Sequence, residues 1–172
     1  MAVTLRRLTP CLLLAVLACG CAPFRPTVVP PPAAQPAEPL TPLARAAMAQ
    51  VGAPYRYGGA DPVGGFDCSG LVAYVFGQQG IVLPRTVAQQ FAAARPLEAS
   101  QRRPGDLVFF RLSPKSAQVT HVGIYTGGER FVHAPESGRN VTLASLDDTY
   151  YRAHLAGYGR IEGAGHRASA SR

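Results

Sequence analysis

FDCSGLVAYVF, residues 66–76, is a polar loop that runs straight into an apolar helix, and its reading decides the fold. Leu71, Val72, Val75 and Phe76 recur at i, i+3, i+4 spacing, and Gly77 to Gly80 ends the pattern. Cys68 falls at the mouth of that helix. Unpaired backbone N–H groups and the helix dipole there favour a thiolate, the reactive form of the side chain. The same N–H groups can cradle the oxyanion of a tetrahedral intermediate. Ser69 and Gly70 are small and leave room for a carbonyl to approach. A cysteine serving only as core filler belongs on the Leu71, Val75 stripe instead, so the position marks Cys68 as a nucleophile.

Upstream lies a glycine-rich loop, Pro54 to Gly65, and before it a first helix with Thr41 as cap and Pro42 in the first turn. Downstream, Thr86 and Gln89 form a capping box for a short third helix. After Pro104-Gly105 the pattern changes. LVFFR, HVGIYT, RFVHA and NVTLA are short, rich in β-branched and aromatic residues, and divided by glycine or proline. LVFF and HVGIY are almost continuously apolar, as in strands covered on both faces. A last helix around Ser145 to Tyr151 and a strand near Gly157 to Ile161 follow. The fold class is α+β, with N-terminal helices packed on a small antiparallel sheet of about five to six strands.

The 172 residues divide into four segments. Residues 1–21 read as an export leader: Arg6 and Arg7 precede a short apolar run, Leu8 to Ala18, too short to span a bilayer. The run ends Val16-Leu17-Ala18-Cys19-Gly20-Cys21, which resembles a lipoprotein signal with Cys19, or else Cys21, as the acylated residue. Neither cysteine is followed by aspartate. By resemblance this points to the periplasmic face of the outer membrane in a cell that has one. Residues 22–40 form a Pro/Ala-rich tether, residues 41–162 the folded domain, and residues 163–172 a disordered tail.

Composition is 47% hydrophobic and 16% charged, which suits one globular domain with a core. The formal charge of +7 is spread along the chain without the runs of a nucleic-acid groove, so nucleic acid is not an expected partner. Of four cysteines, Cys11, Cys19 and Cys21 fall in the leader. Cys68 is left without a partner in its own domain.

A thiol nucleophile needs an oriented base. His121 opens the run HVGIY, and His133 lies twelve residues later in the next strand. A two-residue loop at Gly127-Gly128 sets His133 opposite Val122, on the face away from His121. A three-residue loop, or a bulge, shifts the register by one and brings both imidazoles to one face. The shifted register is the one expected.

PYRYGG, FDCSGLVAYVF, LPRTVAQQ, PGDLVFF, HVGIYTGG and FVHA occur in the order seen in NlpC-type cell-wall peptidases, a papain-like group that the chain resembles over almost all of residues 41–162. The resemblance implies a papain-like fold and a triad of Cys68 as nucleophile, His121 as base and acid, and His133 orienting His121. It also implies that Tyr55 lies near the oxyanion and substrate subsite and that Asp67 and Ser69 help bind the peptide. The implied reaction hydrolyses peptidoglycan stem peptides, at the bond from the D-glutamate γ-carboxyl to diaminopimelate, through a thioester. The expected protein is a monomer that needs no cofactor or metal and is held to a membrane by its lipid. The rival readings are a silent peptidoglycan-binding scaffold and a thiol amidase or acyltransferase acting on another bond.

Tyr57 departs from the family pattern, where tryptophan is commoner, and is expected to affect packing only. Asp147-Asp148 reads as a helix start after Ser145, Tyr150-Tyr151 as packing, Arg102-Arg103 as an exposed turn, and His154 as solvated.

Overall fold

The Thr41 hydroxyl accepts from the Ala44 N–H at 3.2 Å and starts helix α1, Pro42–Met48, whose Leu43, Ala44 and Ala47 are buried. The structure, a computed structural model, describes residues 39–113 and 117–163. The leader with Cys19 and Cys21, and nearly all of the tether and tail, lie outside the described residues. The glycine-rich loop folds on itself as a two-stranded hairpin, β1 (Ala60–Asp61) and β2 (Gly65–Phe66). Helix α2, Cys68–Gly77, begins at Asp67, whose carboxylate accepts from the Gly70 N–H at 2.7 Å. Helix α3, Val87–Ala93, starts at Thr86. The Thr86 hydroxyl accepts from the Gln89 N–H and donates to Gln89 Oε1, a side-chain pairing in place of the expected reciprocal box.

The remaining elements are β3 (Arg95–Leu97), β4 (Leu107–Phe110), β5 (His121–Gly127), β6 (Arg130–His133), β7 (Thr142–Ser145), α4 (Thr149–His154) and β8 (Leu155–Arg160). Six strands form one antiparallel sheet in the order β3-β8-β4-β5-β6-β7. Strand β3 escaped sequence reading because three residues, one of them Pro96, carry no periodicity; proline is tolerated there because β3 is an edge. The last helix begins later than expected. Ser145 is still paired with Arg130 in the sheet, and Asp148 is the residue that caps, accepting from the Tyr150 N–H at 2.8 Å.

Both faces of the sheet are covered, which explains its continuously apolar strands. Leu107, Phe109, Val122, Ile124 and Val132 pack with Leu71, Val72, Val75 and Phe76 of α2. Val108, Phe110, Tyr125 and Phe131 pack on the other side with Leu146, Tyr151 and Leu155.

The β5–β6 hairpin has the shifted register, reached through a bulge rather than a longer loop. Gly128 and Glu129, at φ 58° and 57°, make a two-residue turn, with Gly127 paired to Arg130. One residue, Thr126, then bulges out, and beyond it Tyr125 pairs with Phe131 and Ile124 with Val132. Continued along the strands, this register sets His133 across from Gly123 and diagonal to His121, on one face.

Candidate active site

The first turn of α2 is held by the loop in front of it. The Asp67 N–H donates to the Gly59 carbonyl at 3.1 Å, and the Asp67 carboxylate accepts from the Gly58 N–H at 3.0 Å. Gly70 makes this seat possible: a Cβ there would lie 2.0 Å from the Gly59 carbonyl oxygen. Cys68, half-buried, is therefore fixed at a rigid helix mouth.

Burial, followed by the neighbouring Asp67 charge, pushes the Cys68 thiol up to about 11. The backbone N–H groups of Val122, Ser69 and Cys68 act the other way, in the direction expected from the helix mouth, but burial outweighs them. The contact with Val122 also locates the sulfur: Val122 follows His121, so thiol and imidazole share one end of β5.

His121 and His133 are buried, at 4% and 1% exposure, with His121 Nε2 2.8 Å from His133 Nδ1. The rings stand perpendicular, 5.0 Å between centroids. Gly123 leaves the space for this meeting. A Cβ on it would sit 2.7 Å from the Phe131 ring, 2.9 Å from the Val132 carbonyl oxygen and 3.3 Å from His133 Cβ. Burial lowers His121 to about 4. Burial, then the neighbouring His121 and Arg139, lowers His133 to about 3. Burial thus keeps thiol and imidazoles neutral at neutral pH.

Tyr55 lies half-buried beside Cys68 and Asp67; burial, then these two neighbours, raises its phenol. Its N–H donates to the Arg139 carbonyl at 2.9 Å. Asp67 and Ser69 are already engaged, by a residue that sequence reading left without a role. Arg85 donates to both Asp67 oxygens, at 2.9 and 2.7 Å, to the Ser69 hydroxyl at 2.9 Å and to the Gly59 carbonyl at 3.3 Å. Burial alone would raise the Asp67 carboxyl, yet Arg85 and the Gly70 and Gly58 N–H groups hold it below the ordinary carboxylate range. The signal was present: Arg85 is the one charged residue inside LPRTVAQQ. Gln90, buried five residues later, donates to the Ser69 and Pro84 carbonyls at 3.0 and 2.8 Å and fixes the Arg85 turn to α2.

Four expectations need correction. Tyr57 is 88% exposed, so it packs on nothing in the core. Arg102 is no free turn residue: it lies between the Tyr125 and Tyr158 rings and pairs with Glu129 at 2.6 Å. Tyr151 does pack against Phe110 and Phe131, but its hydroxyl also lies 3.2 Å from His133 Nε2. His154 is half-buried, with its Nδ1 2.8 Å from the Tyr150 carbonyl.

Comparison with known proteins settles the family at this point. The NlpC/P60 family matches residues 52–160. The chain belongs to the NlpC/P60 family. It is 41% identical over 116 residues to the bifunctional muramidase/DL-endopeptidase CwlT of Bacillus subtilis, covering 67% of this chain and 35% of that protein. It is 40% identical over 117 residues to the murein DD-endopeptidase MepH of Escherichia coli, covering 66% and 43%. The chain thus spans less than half the length of the curated relatives it matches. Among solved structures, an NLP/P60 protein of Staphylococcus aureus described as similar to lipoprotein superposes with a TM-score of 0.63 at 38% identity, covering 70% of this chain and 40% of that one. A family protein of Bacillus cereus gives 0.66 at 28% identity, covering 73% and 41%. The α+β, papain-like fold is that of the NlpC/P60 family.

Proposed function

We propose that this NlpC/P60 protein is a cysteine endopeptidase of peptidoglycan stem peptides. The observation that carries the reading is the buried His121–His133 pair at the end of β5 that Cys68 also reaches. A thiol at a helix mouth, an imidazole beside it and a second imidazole fixing the first make a nucleophile, a base and an orienting group. Cys68 Sγ attacks the amide carbonyl while its proton passes to His121. The oxyanion is held by helix-mouth N–H groups. His121 returns the proton to the leaving amine, and water then cleaves the thioester, restoring the thiol and releasing the carboxylate. Because thiol and imidazole start neutral, no ion pair has to be desolvated when substrate closes the cleft.

The proposed bond runs from the D-glutamate γ-carboxyl to diaminopimelate. The family supports a wall peptide, and relatives named as a DL-endopeptidase and a gamma-DL-glutamyl hydrolase favour this bond. The relative named as a DD-endopeptidase points to the D,D cross-link as the competing site. We further propose that the mature protein is held to a membrane by a lipid on Cys19 or Cys21, on the strength of the leader sequence.

Mass spectrometry of muropeptides incubated with the protein tests the reaction. Fragments ending in D-glutamate are expected, and none with Cys68→Ala. Cleavage that survives Cys68→Ala would falsify the thiol mechanism, and cleavage only at D,D cross-links would move the bond.

A further inference from the structure

His133 has a second ring nitrogen, and the reaction depends on which of the two carries the proton. For His121 to take a proton from Cys68, it must start with a hydrogen on Nε2 and a lone pair on Nδ1. Its Nε2–H then has to donate to His133 Nδ1, 2.8 Å away. That requires His133 to hold its own proton on Nε2. At 1% exposure this N–H cannot reach water, and an unpaired buried donor is costly. The Tyr151 oxygen lies 3.2 Å from it, within reach to accept. Phe110 and Phe131 otherwise wall the Tyr151 ring, at 5.5 and 5.0 Å between centroids, and supply no polar atom.

We infer that Tyr151 is a positioning residue of the NlpC/P60 site: its hydroxyl accepts from His133 Nε2–H and thereby selects the tautomers that make His121 the base. The relay runs Tyr151–His133–His121–Cys68. The opposite orientation, with Tyr151 donating to His133 Nε2, turns His133 Nδ1 into a donor. His121 would then carry its hydrogen on Nδ1 and could not accept from the thiol. The half-buried Tyr151 can direct its own hydrogen to solvent. Burial raises its phenol, which keeps it neutral and able to accept. Helix α4 is the device that delivers it, capped by Asp148 and seated by the ring contacts.

The inference rests on the peptidase reading for its consequence, though not for its test. Nitrogen-15 NMR of the resting full-length protein reads the His133 tautomer without any turnover. Protonated Nε2 is expected in the wild type, with a shift toward Nδ1–H in Tyr151→Phe, which keeps the ring and its packing. On a D-glutamyl-γ-diaminopimelate stem peptide, Tyr151→Phe is expected to lose roughly tenfold in kcat with KM little changed. A proton on His133 Nδ1 in the wild type overturns the inference. So does a Tyr151→Phe variant that leaves tautomer and kcat unchanged, or one that slows turnover with the tautomer intact. Persistence of cleavage in Cys68→Ala would instead sink the peptidase reading while leaving the tautomer result standing.

Discussion

Two buried neutral imidazoles make the residues of this site sensitive to acid. His121 at about 4 and His133 at about 3 both lie below the ordinary value of 6.5, because burial disfavours their charged forms. The unfolded chain therefore takes up protons first. Their contribution to stability is complete above 6.5 and is lost as pH falls toward 4 and then 3. Each histidine costs about 1.4 kcal/mol per pH unit below 6.5, hence about 2 kcal/mol by pH ~5. Urea unfolding of wild type and His133→Asn at pH ~7 and pH ~5 isolates this from the carboxylates. The stability difference between them is expected to change by about 2 kcal/mol in favour of the variant on acidification. An unchanged difference would mean that His133 is not held neutral. At this scale the sequence singled out Cys68 and the two histidines by type and spacing, and the structure sets the two histidines in contact. The sequence left Arg85 without a role, and Tyr151 was read as packing alone, because an arginine or tyrosine is ordinary until its partners are known.

The decisive element is the β5–β6 hairpin, whose bulge at Thr126 puts both histidines on one face. Alternation along the strands made the two faces legible, but the register depended on where the turn sat. Sequence reading expected a shifted register at Gly127-Gly128, from either an extra loop residue or a bulge. The structure centres the turn on Gly128-Glu129, both at positive φ, and gains the extra residue inside the strand. Gly123 completes the device by having no side chain between the imidazoles. Gly123→Ala would press a methyl into the Phe131 ring and the Val132 carbonyl, the second of which cannot swing aside. Overpacking of this kind costs about 1–3 kcal/mol. Urea unfolding should show that loss; a variant as stable as wild type would mean that the strands part more easily than this contact allows. Helix α4 shows the opposite failure. Its start was placed at Ser145 because serine and aspartates look alike as caps, and only the pairing of Ser145 with Arg130 moved it to Asp148.

Across the whole molecule, the leader and the described domain do separate jobs in the proposed protein, one fixing place and the other chemistry. Intact-mass measurement of protein extracted from membranes is expected to show acyl chains, lost when Cys19 and Cys21 are both changed to alanine. An unacylated, fully released wild type would remove the anchor from the proposal. The amino-acid sequence by itself determined the α+β class, the helix mouth carrying a lone thiol and the strands carrying two histidines. Those features are local: periodicity, capping and glycine placement act within a few residues of chain. Only the tertiary structure decided that the sulfur lies against Val122, that Arg85 occupies Asp67 and Ser69, and that Tyr151 reaches His133 Nε2. Each of those contacts joins segments that no local rule relates. Strand register, the seat of the loop on α2 and the burial of polar rings are fixed when the sheet closes, and burial is what sets the protons.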